Sequence, residues 1–338
     1  MAKVVTFGEI MMRLATPAHL RFAQAPSLDV TFGGGESNVA ASLALLGHEA
    51  EFVTRLPKND WGDRAVATLR GLGVDTNHIT RGGERIGVYF LESGAGPRAS
   101  NVIYDRADSA VSQIKPGDVD WPTVFGGASW FHWTGITPAL GEGPLNEVAT
   151  ACKAARAAGC TISVDLNFRK KLWTSAEAKA AMTPLMEHVY VCIVNEEDAE
   201  KVFGIHGSDA HSGEISHERY VDVAKQLADQ FGFKQVAITL RESVSASRNG
   251  WSALLLDEGE PHFSRKYDLD IIDRVGGGDS FAAGLIHALL GGQRGEAAVN
   301  WAVAASALKH TIVGDVNLVT AAEVDRLARG DASGRVQR

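Results

Sequence analysis

The sequence predicts an α/β fold in which helices cover both faces of a mostly parallel central sheet. From residue 36 onward, segments with the apolar spacing of helices alternate with short apolar segments typical of buried strands. This alternation is expected when crossover helices connect neighbouring parallel strands. Two other segments, 10–34 and 85–112, have strand and turn patterns without crossover helices. They predict a second, smaller sheet beside the core.

Each core unit can be assigned in chain order. ESNVAASLALLG is predicted to be a helix that stops at Gly47, and EAEFVTRL is predicted to be the strand after it. WGDRAVATLRGLG is a second helix that ends in glycine. Three later helix–strand units are PLNEVATACKAARAAG with CTISVDLN, SAEAKAAMTPLMEH with VYVCIVN, and HERYVDVAKQLADQFG with QVAITL. In the smaller sheet, the alternation in VYFLES and NVIYDR predicts antiparallel strands with a hairpin around GAGP.

These patterns divide the chain into a core and a β lid. We assign residues 1–9, 35–84 and 113–330 to the core, residues 10–34 and 85–112 to the lid, and residues 331–338 to a disordered tail. A small sheet beside a large α/β domain can close over a cleft, where ligands tend to bind.

Composition excludes several classes of protein. The chain has 338 residues and a net charge of −8, which disfavours a general nucleic-acid or acidic-membrane binder. The N-terminus lacks the apolar run of about 7–15 residues that a signal peptide needs, and no segment approaches the length of a membrane span. The cysteines are too few and too irregularly spaced for a disulfide framework or a metal site, so we expect a cytoplasmic protein with small buried thiols: Cys152, Cys160 and Cys192.

The segment DIIDRVGGGDSFAAGL, residues 270–285, contains the strongest local signal. Three glycines, Gly276–Gly278, lie where an apolar run meets a predicted helix, so their backbone N–H groups can approach a phosphate at the helix N-terminus. Asp279 follows and could act either as a helix cap or as a base. The sequence has no GxxxxGK[ST] motif, and Phe281 stands where GxGxxG needs its last glycine. A carboxylate beside an anion site is useful if a phosphoryl group is transferred to an alcohol, whose proton needs an acceptor.

Two signatures together resemble those of the ribokinase-like (PfkB) carbohydrate kinases. DRVGGGDSFAAGL is similar to the family's C-terminal signature, and FGGGESNVAASLALLG is similar to its N-terminal signature, about 240 residues earlier. The resemblance spans essentially the whole chain. It implies a ribokinase-like three-layer α/β/α core with a β-sheet lid, and an enzyme that uses ATP and Mg²⁺. It implies Asp279 as the base and the backbone of Gly276, Gly277 and Gly278 as the anion hole.

The substrate is indicated by basic and aromatic residues near the expected cleft. Tyr104 and Arg106 are two residues apart on a lid strand, so they share one face. Arg169 follows the carboxyl end of a core strand, where α/β proteins bind ligands. Arginine can bind a carboxylate through two donors, and tyrosine can donate to a keto or hydroxyl oxygen. Taken singly, each residue is better explained by a surface ion pair or by packing; together they favour a sugar-acid site.

The patterns Y-x-R-x-x-S-A and D-x-N-x-R-x-x-L-W resemble those of the 2-keto-3-deoxygluconate kinases within the family. The resemblance implies phosphorylation of the 6-hydroxyl, and leaves open whether Arg169 binds the sugar acid or the transferred phosphate. The implied sugar contacts are Gly34, Asn38, Tyr89, Tyr104, Arg106 and Arg169.

The sequence departs from the family pattern at the nucleotide and metal sites. The family's N-x-x-E reads NEED here, with Asn195 in place and Asp198 instead of glutamate, so no direct metal ligand is expected and Asp198 could act through water. Thr239 and Arg241 are expected to meet ATP, and Asn300 matches a position that lines the adenine pocket.

A further departure concerns monovalent cations. Many relatives have D-T-T before the glycines and bind potassium nearby, but here Asp273, Arg274 and Val275 occupy those places. An arginine beside a cation loop argues against monovalent activation.

Other functions remain alternatives at this point. The nearest is another kinase of the same fold, acting on fructose, 2-keto-gluconate or 5-keto-2-deoxygluconate. A non-catalytic nucleotide- or sugar-binding module is a different class. A nicotinamide dehydrogenase is disfavoured, since no glycine-rich turn follows the first predicted strand. Exposed lid edges favour a homodimer formed through the lid, or a higher homo-oligomer.

Overall fold

The structure is a computed structural model that describes residues 1–207 and 217–331. Within these residues the strands, in chain order, are β1 (Lys3–Phe7), β2 (Met11–Ala15), β3 (Asp29–Gly33), β4 (Glu49–Val53), β5 (Arg55–Leu56), β6 (Thr80–Arg81), β7 (Gly87–Glu92), β8 (Asn101–Asp105), β9 (Ala128–Thr134), β10 (Thr161–Asp165), β11 (Val191–Val194), β12 (Gln235–Ser243), β13 (Arg248–Asp257), β14 (Glu260–Phe263) and β15 (Tyr267–Asp270). The α-helices are α1 (Gly35–Leu45), α2 (Asp60–Gly71), α3 (Trp121–Val124), α4 (Glu142–Ala157), α5 (Ser175–Met182), α6 (Glu196–Phe203), α7 (His217–Phe231), α8 (Gly277–Leu290), α9 (Gly295–Lys309) and α10 (Ala321–Ala328). The tail predicted to be disordered lies, from residue 332 on, outside the described residues.

The central sheet is mostly parallel, as predicted. Its strand order is β14-β13-β12-β11-β10-β9-β1-β4, with β15 also paired to β13. Every pair from β4 to β12 is parallel, whereas β13, β14 and β15 join antiparallel at one edge. The antiparallel edge arises because β12 and β13 are linked by a short turn, in which the N–H groups of Val244 and Ser245 both donate to the carbonyl of Arg248.

Two apolar cores, one on each face of this sheet, hold the helices against it. Consecutive strand residues are both buried because their side chains alternate between the cores: Val4 packs with α1, α8 and α9, while Val5 packs with α4 and α5. Such two-sided burial explains why the core strands read as continuous apolar runs. All three cysteines are free and buried, as their irregular spacing suggested.

The second sheet has four strands in the order β3-β2-β7-β8. The hairpin around GAGP pairs β7 and β8 antiparallel, while β2 and β7 pair in parallel. This sheet is tied to the core by Arg13 on β2, whose guanidinium donates to Asp273 and Asp315 at 2.5 Å each. EAEFVTRL, predicted as one strand, is divided at Thr54 into β4 and β5, and β5 pairs separately with β6.

Candidate active site

The glycine turn lies between β15 and α8, and each of its glycines is favoured at its position for a different structural reason. Gly276 caps α8 with a φ of 83°, a left-handed conformation that favours glycine, and a Cβ at this position would lie 1.9 Å from the carbonyl oxygen of Asp315. A Cβ at Gly277 would lie 2.6 Å from the ring of His310. At Gly278 no atom lies within 4 Å of such a Cβ, so the turn is open there toward the cavity that it lines. Two glycines let the chain pack tightly, and the third leaves the helix N-terminus accessible to an anion.

Asp279 lies in the first turn of α8 and lines the same cavity. The structure shows no side-chain cap at this helix N-terminus, so Asp279 does not act as the N-cap residue. Instead its Oδ2 accepts a hydrogen bond of 2.7 Å from Nδ2 of Asn38. Burial raises the pKa of Asp279 to about 6, and the bond from Asn38 partly opposes that rise. At neutral pH the carboxylate is therefore mostly ionised and able to accept a proton.

A second helix N-terminus, that of α1, meets the first one at Asn38. Gly34 is the N-cap of α1, and a Cβ there would lie 2.0 Å from the carbonyl oxygen of Glu9. The backbone N–H of Gly34 donates to Oδ1 of Asn38 at 3.2 Å, while the amide nitrogen of Asn38 donates to Asp279. The two sequence signatures thus come together at one amide side chain.

Glu36, in the same turn of α1, was not singled out from the sequence. Its side chain is fully buried, and Oε1 accepts hydrogen bonds from the backbone and hydroxyl of Thr134 and from the hydroxyl of Thr137. Its Oε2 has no partner among the described residues. Burial raises the pKa of Glu36 to about 7, because three hydrogen bonds lower it by less than desolvation raises it. Its place inside the N-terminal signature was the only sequence signal for it.

The residues expected to contact a sugar acid line one region of the cavity. Tyr89 and Tyr104 face each other across β7 and β8, with ring centroids 6.0 Å apart. The guanidinium of Arg106 lies 5.2 Å from the ring of Tyr104 and forms an ion pair with Glu9, and its Nε–H has no partner among the described residues. Arg169 lines the cavity from the loop after β10.

Arg169 lies among carboxyl groups rather than at the surface. Burial raises the pKa of Asp165 to about 8; the carboxylates of Asp198 and Asp279 raise it further, and Arg169 lowers it. Burial likewise raises the pKa of Asp198 to about 6, against the charge of Arg169. Asp165 belongs to the D-x-N-x-R pattern, but the pattern alone did not indicate that its carboxyl group is mostly protonated at neutral pH.

The residues assigned to the nucleotide lie in two places. Thr239, Arg241 and Asn195 line the cavity that contains the glycine turn, whereas Asn300 does not line it. Asn300 is on α9, and its Oδ1 accepts a 2.8 Å hydrogen bond from the backbone N–H of Arg265. The adenine role of Asn300 therefore stays a prediction about a surface beyond this cavity.

Two residues of the metal motif cap a helix. The side chain of Asn195 accepts from the backbone N–H of Asp198 at 2.7 Å and donates to its carboxylate at 2.8 Å, which starts α6. No group of three or more potential metal ligands occurs among residues 1–207 and 217–331. Asp198 lines the cavity together with other carboxyl groups, among them Asp165 and Asp279, and Mg²⁺ commonly binds substrate phosphates, waters and only one or two carboxylates.

The cavity has a volume of about 570 Å³ and adjoins a second cavity, of about 1440 Å³, that shares Tyr104, Arg106 and Arg169 with it. The volume of the first cavity lies within the range of about 300–1,000 Å³ that is usual for small-molecule sites. In the part of the chain that the structure describes, no helix is long and apolar enough to cross a membrane.

The fold and this arrangement define a class of enzyme, the carbohydrate kinases. The profile of the pfkB family carbohydrate kinases matches residues 1–321, and the chain belongs to that family. It is 50% identical to the 2-dehydro-3-deoxygluconokinase of Thermotoga maritima, whose crystal structure superposes with a TM-score of 0.95 over 98% of this chain and 100% of that one.

Two curated relatives extend the comparison. The chain is 35% identical to the 2-dehydro-3-deoxygalactonokinase of Haloferax volcanii, over 98% of each chain. It is 28% identical to the 2-dehydro-3-deoxygluconokinase of Thermoproteus tenax, over 93% of this chain and 90% of the relative. The sequence-based assignment to the PfkB kinases is confirmed.

Proposed function

We propose that the chain catalyses the ATP-dependent phosphorylation of 2-keto-3-deoxygluconate (2-dehydro-3-deoxygluconate) to 2-keto-3-deoxy-6-phosphogluconate. One observation carries the proposal: a single cavity holds Asp279 beside an open glycine turn and also holds Arg106, Arg169 and two tyrosines. The first group suits phosphoryl transfer, and the second suits a keto acid. The relatives are named for 3-deoxy keto acids and differ in the gluconate or galactonate epimer, which supports the same substrate class.

The chemistry follows from the two helix N-termini. The substrate hydroxyl oxygen bonds to the γ-phosphorus of ATP, its proton passes to the carboxylate of Asp279, and ADP leaves with the electrons of the broken P–O bond. The backbone N–H groups of Gly276, Gly277 and Gly278 stabilise negative charge on the transferred group. Asn38 fixes the carboxylate of Asp279 with its 2.7 Å hydrogen bond. Gly34, whose N–H donates to the side chain of Asn38, is the neighbouring sugar contact in this proposal.

The nucleotide is assigned to Asn195, Thr239, Arg241 and the glycine turn, with Asn300 at the adenine end. Mg²⁺ would neutralise phosphate charge when bound, and Asp198 would hold it through water. The raised pKa of Asp198 is consistent with a site that is completed by a cation, because a positive charge would favour its ionised form.

The substrate carboxylate is assigned to Arg106, with Arg169 nearby. One Nη of Arg106 binds Glu9, and its Nε–H, which has no partner among the described residues, is a donor that remains for a ligand. Tyr104 packs under the same guanidinium, and Tyr89 lies beside it. This cluster would discriminate an acid from a neutral sugar, because two cations near the site favour an anionic ligand.

The test is ADP release from Mg-ATP with 2-keto-3-deoxygluconate, 2-keto-3-deoxygalactonate, 2-keto-gluconate, 5-keto-2-deoxygluconate, gluconate, fructose and ribose in parallel. We expect strong turnover with the 3-deoxy keto acids. Turnover led by fructose or ribose would keep the kinase and overturn the carboxylate assignment. No turnover with any acceptor, combined with protection of the fold by ATP, would indicate a binding module.

A variant separates recognition of the carboxylate from recognition of the hydroxyls. Arg106→Lys keeps a positive charge for the buried Glu9 but loses the fork that binds a carboxylate with two donors. We expect KM for the keto acid to rise by about tenfold or more, which corresponds to one charge-assisted hydrogen bond. Arg85→Lys is the matched control, since Arg85 pairs with the exposed Asp105, the last residue of β8 and the neighbour of Arg106. A KM that is equal in both variants would contradict the assignment.

We further propose that residues 10–34 and 85–112 act as a lid over the core formed by 1–9, 35–84 and 113–330, and that two lids pair in a homodimer. The outer strand β8 supports this, because its Ile103 is 49% exposed, a large apolar side chain on a free sheet edge. Ile103→Glu should lower the molar mass measured by light scattering. A cytoplasmic location is proposed from composition and buried free thiols, to be checked by fractionation.

A further inference from the structure

Two arginines converge on the cavity beside the glycine turn. Arg241 is an exposed residue of β12, and Arg274 lies two residues before Gly276; both line the same cavity. One Nη of Arg274 donates to the carbonyl oxygen of Ala246 at 2.9 Å, which leaves its other donors available. Neither guanidinium forms an ion pair with a carboxylate among residues 1–207 and 217–331.

The acidic groups closest in sequence to the pair are bound elsewhere. Glu242 accepts from Lys266 at 2.5 Å. Asp273 accepts from Arg13 at 2.5 Å and is buried, so its charge is largely satisfied by that partner. Among the described residues, neither arginine therefore has an ion-paired carboxylate of its own, and the charge of Asp273, which is shared with Arg13, offsets that of Arg274 only in part.

The two guanidinium groups also repel each other. Burial lowers the pKa of Arg274, and the positive charge of Arg241 is the next cause of that lowering. Like charges held together are unfavourable unless an anion offsets them. Trp251, which pairs with Arg241 across β12 and β13, lines the same cavity and has an indole N–H without a partner among the described residues. A cluster that contains only donors fits an acceptor-rich ligand.

We propose that Arg274 is a second phosphate-binding arginine, which together with Arg241 binds the β- and γ-phosphates of the nucleotide. The ligand class is a nucleoside polyphosphate rather than the sugar carboxylate, because Arg274 precedes the anion-binding glycines while Arg106 and Tyr104 belong to the lid side of the cavity. Arginine forks match phosphate oxygens through two parallel hydrogen bonds. This inference rests on the proposed kinase function only for the identity of the nucleotide.

The test measures nucleotide binding by calorimetry, without any sugar acid, for Mg-ATP, Mg-ADP and adenosine. Arg274→Ala and Arg241→Ala should each bind Mg-ATP about tenfold to one-hundredfold more weakly, the loss expected for a hydrogen bond to a charged group. Adenosine affinity should change by less than about twofold, since it carries no phosphate. Arg248→Ala is the control, because Arg248 is exposed, pairs with Asp270 and does not line the cavity.

Two outcomes would overturn the proposal: unchanged Mg-ATP affinity in Arg274→Ala, or an equal loss for adenosine, which would mean that the variant distorts the turn bonded to Ala246. Arg274→Lys keeps the charge, and its Mg-ATP affinity should fall between those of wild type and Arg274→Ala; a weaker affinity than that of the alanine variant would also count against it. If Arg274→Ala does not fold, Arg274→Lys still decides, since it keeps the charge and loses the fork; an Mg-ATP affinity equal to that of wild type in Arg274→Lys would then overturn the proposal. Failure of the sugar-kinase proposal is separate: it appears as absent sugar-dependent ADP release while Mg-ATP still binds.

Discussion

Replacing Asn38 with leucine should shift the pH at which the enzyme becomes active. The amide of Asn38 donates to Asp279, and this bond favours the ionised carboxylate that, in the proposed mechanism, accepts the substrate proton. Burial works in the other direction and is the larger effect, so the pKa of Asp279 is about 6. Leucine has a shape similar to that of asparagine but cannot donate, so the substitution removes the smaller effect and leaves the larger one.

The size of the shift can be worked out from that single bond. A hydrogen bond to a charged group is worth about 1.5–3 kcal/mol, and one pKa unit corresponds to about 1.4 kcal/mol. Loss of the bond should therefore raise the pKa of Asp279 by about one to two units. Because the base acts when it is deprotonated, log kcat/KM of the wild type should rise with pH to a plateau above about 6. In Asn38→Leu the same rise should be centred about one to two units higher.

The assay is kcat/KM for the keto acid across about pH 5 to 9, because this ratio reports ionisations of the free enzyme. Asn38 is also an expected sugar contact, so the plateau value of kcat/KM should fall as well. The result that decides is the pH at which kcat/KM rises, not its plateau value. Ser42→Ala is the matched control in the same helix, since its buried hydroxyl has no partner among the described residues. A limb that keeps its position in Asn38→Leu would refute this coupling between Asn38 and Asp279.

Three more predictions concern the base, the buried acid and cations. Asp279→Asn should lower kcat by about 10²–10⁴-fold with unchanged Mg-ATP affinity by calorimetry, and a rate within about tenfold of wild type would remove Asp279 as the base. The pKa of Glu36 is about 7 in the folded protein and 4.5 ordinarily. The contribution of this group to the free energy of unfolding is therefore fully present below about pH 4.5 and is lost as the pH rises through 7. The free energy of unfolding in urea should therefore decline between pH 5 and 8 by about 2.5 kcal/mol more in wild type than in Glu36→Gln, and parallel curves would contradict the assignment. Replacing KCl by NaCl or choline chloride at equal ionic strength should change the rate by less than about twofold. The reason is that Arg13 and the Lys309 ammonium, which donates to the Asp273 carbonyl at 3.4 Å, already supply positive charge beside the glycine turn. A larger drop in rate would show that the enzyme is activated by a monovalent cation.

The parts of the site that sequence could predict are those encoded locally. Gly276 and Asp279 are three residues apart, and a run of glycines directly before a helix is typical of an anion-binding turn. The same holds for Gly34 and Asn38 at the start of α1, where cap and first turn are contiguous. That Asn38 and Asp279 share a hydrogen bond depends on sheet order, but two signatures with one expected function already suggested their proximity.

Sequence could not predict pairings that depend on the assembled fold. The ion pair between Arg106 and Glu9 joins residues 97 positions apart, and nothing in the local pattern of either indicates the other. The antiparallel edge was missed for a different reason, since β13 is as apolar as a parallel strand and only the short turn before it decides its direction. The raised pKa of Asp165 results from burial first, and then from two carboxylates that reach it from α6 and α8.

Tyr89 illustrates how a correct motif can lead to an incomplete role. It was assigned to the sugar by resemblance, and it does line the cavity, but its hydroxyl donates to Asp315, the carboxylate that also binds Arg13. Burial lowers the pKa of Arg13, and the charges of Asp315 and Asp273 outweigh that effect and raise it, so the guanidinium stays charged between its two partners. Because the carbonyl of Asp315 also packs against Gly276, Tyr89 connects β7 of the smaller sheet to the glycine turn. If residues 10–34 and 85–112 form the lid proposed above, a substrate that contacts Tyr89 would act on the same residues that position the glycine turn, and lid closure would be coupled to catalysis.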